Sequence, residues 1–219
     1  MPRLRTLGAV LDWATISSLA TAAGTLVLAV ATFASVRASS RAARVAERTM
    51  SLGMRPVLGP SRLQDPPQKV GFADGHWLVT PGGGAGVEVD GEAVRMTIAV
   101  RNVGNGLAVL HGWCLEFATE PNPPIPDVAT FRRLTRDLYI AGGDLGFWQG
   151  ALRDPGTDEF VTARRTIEAR QPFFVDVLYG DHEGGQRAIT RFRLTPRGAE
   201  DAWLASVGRH WNVDGPQPR

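Results

Sequence analysis

The sequence predicts a mainly β protein: an N-terminal transmembrane helix and helical stalk, then an antiparallel, immunoglobulin-like β-sandwich and a short C-terminal helix. Two observations carry this prediction. The first is a run of 24 residues without a charged side chain, Trp13 to Val36. The second is the series of short alternating segments, separated by Gly and Pro, that follows Pro56. The expected division is an N-terminal flank (1–12), a membrane span (13–36), a basic stalk (37–55), a β-domain (56–213) and a disordered tail (214–219).

The charge-free run is long enough to cross a bilayer. At about 1.5 Å per residue, 24 residues extend about 36 Å, against a hydrocarbon core of about 30 Å. Trp13 stands at one end, where an amphipathic ring favours the membrane interface. We therefore expect the lipid bilayer to be a partner through Trp13 to Val36. Ala20 and Gly24 form a small-xxx-small spacing, which favours a homo-oligomer through this helix.

The competing interpretation of this run is a cleaved signal peptide, because Ala29-Val30-Ala31 resembles a cleavage site. The run is longer than the apolar part of most signal peptides, and positive charge beyond it resists translocation. The segment 1–55 has a charge of +5, and its basic side follows the run: four Arg follow closely (37, 41, 44 and 48), whereas Arg3 and Arg5 before the run are offset by Asp12. We therefore predict a cell-membrane protein with its N-terminus outside and its β-domain in the cytoplasm.

Four Arg residues mark the stalk at spacings of four, three and four: Arg37, Arg41, Arg44 and Arg48. These spacings put them on one helical face. The face could contact anionic lipid headgroups, or it could serve only to orient the chain in the membrane. Both interpretations stay open.

The β-domain is predicted from alternation of apolar and polar side chains. The two clearest runs are Ala93 to Val103 and Leu107 to Phe117, and Asp181 to Gln186 has the composition of a hairpin turn. Asp201 to Trp211 is expected to be helical because Trp203, Val207 and Trp211 recur every four residues. The other expected strands are Phe173 to Tyr179, Ala188 to Leu194 and, more weakly, Val57 to Leu63, His76 to Val79, Gly86 to Val89 and Glu159 to Thr162.

One turn carries a resemblance. Asn102 to Ala108 has the pattern Asn-x-Gly-x-Gly-x-Ala, after an Arg-Pro junction at Arg55-Pro56 and before Tyr179-Gly180-Asp181. With the span and the stalk, this layout resembles a loose set of uncharacterised bacterial single-pass membrane proteins, in which Pro is common where this chain has Leu107. The resemblance implies an architecture and no activity.

Residues that could carry chemistry are few. A single Cys excludes a disulfide framework and a Cys-rich zinc module. Asp181, His182 and Glu183 form the one tight group of ligand-type side chains, in a turn where such residues are also ordinary. Cys114 is interpreted as a packing residue. We therefore predict no catalytic residue, no cofactor and no metal, and the role of the 181–183 group stays open.

The segment from Gly142 to Asp154 is predicted to be an unusual loop. Phe147 and Trp148 are adjacent aromatics, and Arg153 follows. Such a group favours contact with a protein partner, or it caps one end of the sandwich. The chain beyond residue 55 has a net charge of −3, so we expect no nucleic-acid partner.

Three functions fit these patterns. The first is a membrane-anchored interaction or scaffold protein without catalytic activity, contacting an unknown protein partner. The second is a membrane-tethered hydrolase that uses loop acids and a histidine. The third is an exported, membrane-proximal binding domain.

Overall fold

The structure, a computed structural model, describes residues 13–198 and 202–217, without the side chains of residues 48, 51 and 52. The predicted flank at 1–12 therefore lies outside the described residues. The chain divides into two compact units, Met1–Ser51 and Leu52–Arg219.

A single long helix, α1 (Trp13–Gly53), covers both the predicted span and the predicted stalk. Hydroxyl groups inside it donate to carbonyls of the preceding turn, as Thr25 Oγ1 does to Thr21 O at 2.8 Å and Thr32 Oγ1 does to Leu28 O at 2.7 Å. These polar groups are thus satisfied within the helix. By length and composition, the helix is able to cross a membrane.

The second unit is rich in antiparallel strands, which confirms the predicted β-rich domain. Among the described residues of this unit, one α-helix, α2 (Asp158–Glu168), and a short 3-10 helix (Val128–Thr130) interrupt them. The strands are β1 (Leu58–Pro60), β2 (Gln68–Gly71), β3 (Trp77–Thr80), β4 (Gly84–Val89), β5 (Val94–Asn102), β6 (Ala108–Glu116), β7 (Arg132–Ile140), β8 (Leu145–Leu152), β9 (Phe173–Gly180), β10 (Ala188–Arg197) and β11 (Ala202–Asn212).

Nine of these strands form one curled sheet, and β2 and β3 form a separate hairpin. The sheet runs β5, β4, β11, β10, β9, β6, β7, with β8 on the other edge of β5 and β1 beside β4 along β5. An immunoglobulin-like sandwich of two separate sheets is therefore not confirmed. Curling lets β5 and β8 share one core with β9 and β10, through side chains such as Met96, Trp148, Val177 and Phe192.

The predicted C-terminal helix is wrong, because residues 202–212 form strand β11. A spacing of four is even, so it suits the two-residue period of a strand as well as a helix. A register shift where β11 pairs with Arg191 and Phe192 of β10 changes the side-chain phase. Trp203 consequently joins the main core, whereas Trp211 packs in a second cluster with Leu178 and Ile189.

Three other segments differ from expectation. The weak strand predicted at Glu159 to Thr162 is helix α2, with Thr157 as its N-cap: Thr157 Oγ1 accepts from Phe160 N–H at 3.3 Å. The segment Gly142 to Asp154 is mostly strand β8 and not a loop. The tail predicted to be disordered is bonded over its described part, where Asp214 pairs with Arg187 at 2.7 Å.

Candidate functional site

The turn at Asn102 is built around one buried side chain. Asn102 Oδ1 accepts from Val57 N–H at 3.1 Å and from Gly104 N–H at 3.0 Å. Its Nδ2 donates to Gly106 O at 2.6 Å and to Ile140 O at 3.0 Å. This one amide therefore makes four hydrogen bonds, all that its donors and acceptor lone pairs can make.

The two glycines of the turn allow the backbone of the junction to lie directly against it. A Cβ at Gly104 would overlap the carbonyl oxygen of Arg55, and a Cβ at Gly106 would overlap that of Met54. The glycines are thus needed for close approach between two backbone segments.

On the other side, the junction is held by Tyr179. Its hydroxyl oxygen accepts from Leu58 N–H at 3.0 Å and lies 3.1 Å from Thr190 Oγ1, which in turn lies 3.1 Å from His210 Nδ1. Burial raises the pKa of Tyr179, so the phenol stays protonated. Burial, and then the positive charge of Arg55, lowers the pKa of His210.

The three parts of the resemblance thus meet at one place, which we call the clasp: the junction 54–58, the turn 102–106, Tyr179 and Asn212. Asn212 joins it because Arg55 Nη2 donates to Asn212 Oδ1. Sequence reasoning identified the turn and the junction separately and missed their contact. The available signal was an Asn followed by Gly at the second and fourth positions, which permits a close backbone approach.

A cavity of about 370 Å³ lies between the outer face of the sheet and the Pro-rich segment 117–131. Arg191 donates to both carboxylate oxygens of Asp176 at 2.7 Å, and the two side chains are 8% and 1% exposed. Burial raises the pKa of the Asp176 carboxyl, while the bonds from Arg191 oppose that shift. Burial, and next the Asp176 charge, raises the pKa of the neighbouring Cys114 to about 12. Cys114 is therefore a neutral thiol at physiological pH and a poor nucleophile.

The fold does not bring the side chains of Asp181, His182 and Glu183 together. Asp181 is buried and its Oδ1 accepts from Gly185 N–H at 2.9 Å, which closes the turn between β9 and β10. His182 and Glu183 are exposed. Among residues 13–198 and 202–217, no group of three His, Cys, Asp or Glu side chains is arranged to hold a metal ion.

The strand geometry separates the members of the predicted contact group, of which Phe147 and Trp148 lie on β8 and Arg153 directly follows it. Trp148 is fully buried and packs edge-on against Trp113 with ring centroids 5.4 Å apart, so it is a core residue and cannot serve as a surface contact. Phe147 is partly exposed and lies 5.7 Å from the Arg136 guanidinium. Arg153 is exposed and 3.6 Å from Asp74. Contact between a partner and the last two residues stays a prediction.

Sequence reasoning did not select Trp77 on β3, which the structure leaves 57% exposed. Its ring packs over Gly71 of the neighbouring strand and under the Lys69 ammonium, 5.0 Å from the ring centroid. Val79, two residues further on the same face, is 63% exposed. Trp is among the residues that contribute most to binding at the centres of protein interfaces.

On α1, the side chains of Arg37, Arg41 and Arg44 are exposed. Arg44 Nε donates to Ser40 O at 3.2 Å, one turn nearer the apolar run. The side chain of Arg48, the fourth member of the predicted face, lies outside the described residues.

Comparison of the chain with protein-family models, with curated proteins and with solved structures found no match.

Proposed function

We propose that the protein is a single-pass membrane protein whose β-domain is a non-catalytic interaction domain held beside the bilayer. The observation that carries the proposal is the apolar surface of α1. Leu19, Leu26, Leu28 and Phe33 are each 67–68% exposed. Burying one such side chain is worth about 1.5–3 kcal/mol. A helix with this surface is stabilised by lipid around it, and its hydroxyls already bond internally.

The buried polar groups of the β-domain support an interaction role because they serve to stabilise its fold. Asn102 and Tyr179 have their hydrogen bonds taken up by the clasp and by Ile140 and Thr190 beside it, and the Asp176–Arg191 pair is bidentate. The Cys114 thiol has a pKa of about 12. These groups stabilise the fold, whereas Trp77 and Phe147 offer surface to a partner.

Membrane integration is tested by alkaline carbonate extraction of membranes from cells that express the full chain. We expect the protein to stay in the membrane pellet. Changing Leu26 and Leu28 together to Arg should release it, since each Arg near the centre of a span costs about 3 kcal/mol. The matched control changes both to Ile and should be retained. Release of the unmodified protein by carbonate would refute the proposal.

The orientation is tested with C-terminal reporters. We propose a cytoplasmic β-domain, because the Arg residues follow the apolar run. A C-terminal fluorescent protein should therefore be bright, and a C-terminal alkaline phosphatase should be inactive. High phosphatase activity would instead support the exported binding domain.

A further inference from the structure

We propose that Arg37, Arg41 and Arg44 form a binding strip for anionic phospholipid headgroups. The inference rests on the proposed membrane span and names the lipid chemistry at its C-terminal end. We call these residues the Arg strip.

The Arg strip occupies one narrow face of α1. At 100° per residue, positions 37, 41, 44 and 48 fall within an arc of about 60°. The three described side chains are all exposed. Because this face is narrow, all of its guanidinium groups can contact the same charged surface.

The direction of the helix brings the strip toward the bilayer. Side chains on a helix lean toward its N-terminus, which here is the side of the apolar run. Arg44 follows this rule, since its Nε bonds Ser40 O. Ser40 lies four residues beyond Val36, or about 6 Å along the helix. A headgroup layer is about 5–7 Å thick on each side, so the Arg44 guanidinium reaches it.

The charge of this region favours anions. From Trp13 to Ala46 the chain contains three Arg and no acid, and Glu47 is the only acid in α1. Guanidinium groups bind phosphate oxygens through paired hydrogen bonds. Because the strip directly continues the apolar run, the phosphate nearest to it is that of a lipid. A lipid is therefore the favoured occupant, ahead of an acidic protein.

The test uses the full chain reconstituted into phosphatidylcholine vesicles that contain spin-labelled phosphatidylglycerol or spin-labelled phosphatidylcholine. We expect the anionic label to associate more strongly with the protein. Replacing Arg37 and Arg41 with Gln should lower that preference several-fold, up to about fivefold for each Arg. The matched control is Arg133→Gln, an exposed Arg on β7, and should keep the preference of the unmodified chain.

Each outcome bears on a different claim. Carbonate extraction of the same vesicles reports integration. Loss of the protein from the vesicles would overturn the proposed function and this inference together. Retention with equal association of both labels would overturn the inference alone and would favour an acidic protein as occupant. Displacement of the anionic label by inorganic phosphate would also overturn it, because the strip would then be a general phosphate site.

Discussion

Replacing Asn102 with Ala should destabilise the β-domain more than any other single change in its turn. Asn102 is fully buried and its amide makes four hydrogen bonds to backbone groups of three segments. A net loss of about 1 kcal/mol per bond gives about 4 kcal/mol. The backbone N–H and C=O groups that bonded the Asn102 amide would stay buried without partners, so the loss of stability is not reduced by hydration of these groups.

The assay is urea unfolding of the full chain in detergent micelles, followed by tryptophan emission. Five of the six Trp residues belong to the β-domain. With a urea slope of about 2 kcal/mol per M, a loss of 4 kcal/mol moves the midpoint down by about 2 M. The slope itself should stay unchanged, because the surface exposed on unfolding is the same.

The matched control is Asn105→Ala in the same turn. The Asn105 side chain is exposed and donates one bond, to Gly53 O at 3.2 Å. Its removal should cost less than about 1 kcal/mol. Equal midpoints for the Asn102 and Asn105 variants would refute the reasoning that the clasp depends on the buried amide.

Three further changes test separate features. Gly106→Ala forces a Cβ into the Met54 carbonyl and should cost about 2 kcal/mol. At about 2–4 °C per kcal/mol for a domain of this length, Tm falls by about 4–8 °C. Gly59→Ala, with open space at its Cβ, should leave the Tm measured by scanning fluorimetry unchanged; equal Tm values for the two variants would contradict the close approach. The pKa of Asp90 is lowered to about 2, mainly by the hydrogen bond that it accepts from the Arg95 guanidinium. The contribution of this pair to stability is therefore complete above pH 3.8 and is lost as the pH falls toward 2. Asp90→Asn should therefore flatten the fall of the urea midpoint between these pH values, and an unchanged slope would argue against this pair. Cys114, with a pKa of about 12, should resist iodoacetamide at pH 8 in the native chain and react in urea, as followed by mass spectrometry; rapid native alkylation would show an accessible thiolate.

The parts of the fold that the sequence predicts are those with one unmistakable period. The charge-free run gives α1, and strict alternation gives β5 and most of β10. Where the apolar residues fit both a helical and a strand period, the local sequence does not decide between helix and strand. Trp203 and Trp211 are eight residues apart, a distance that fits a helix and a strand equally, and only pairing with β10 selects the strand.

Two misses had usable signals. After the capping Thr157, apolar residues recur at steps of three, three and four: Phe160, Ala163 and Ile167. This is the helical spacing that α2 shows. Glycines on both sides of Trp148 suggested a loop, yet in the fold Gly150 gives the indole room beside the backbone. Glycine marks close approach as often as it marks a turn.

The candidate site was beyond sequence reasoning for a different reason. The clasp joins Leu58 to Tyr179, 121 residues later, and Arg55 to Asn212, 157 residues later. Local patterns say nothing about partners at that separation. The Arg strip is the opposite case: it needs only the phase of one helix, and its spacing was legible in the sequence.

These long separations have a consequence for how the chain is made. Synthesis proceeds from the N-terminus, so α1 leaves the ribosome well before the strands of the β-domain. The junction beside α1 has its first partner when Asn102 emerges and its last when Asn212 does. On the proposed function, the span would be committed to the bilayer while the β-domain is still incomplete. A nascent chain stalled before β11 would lack the strand that pairs with both β10 and β4, and the edges of these strands would stay unpaired.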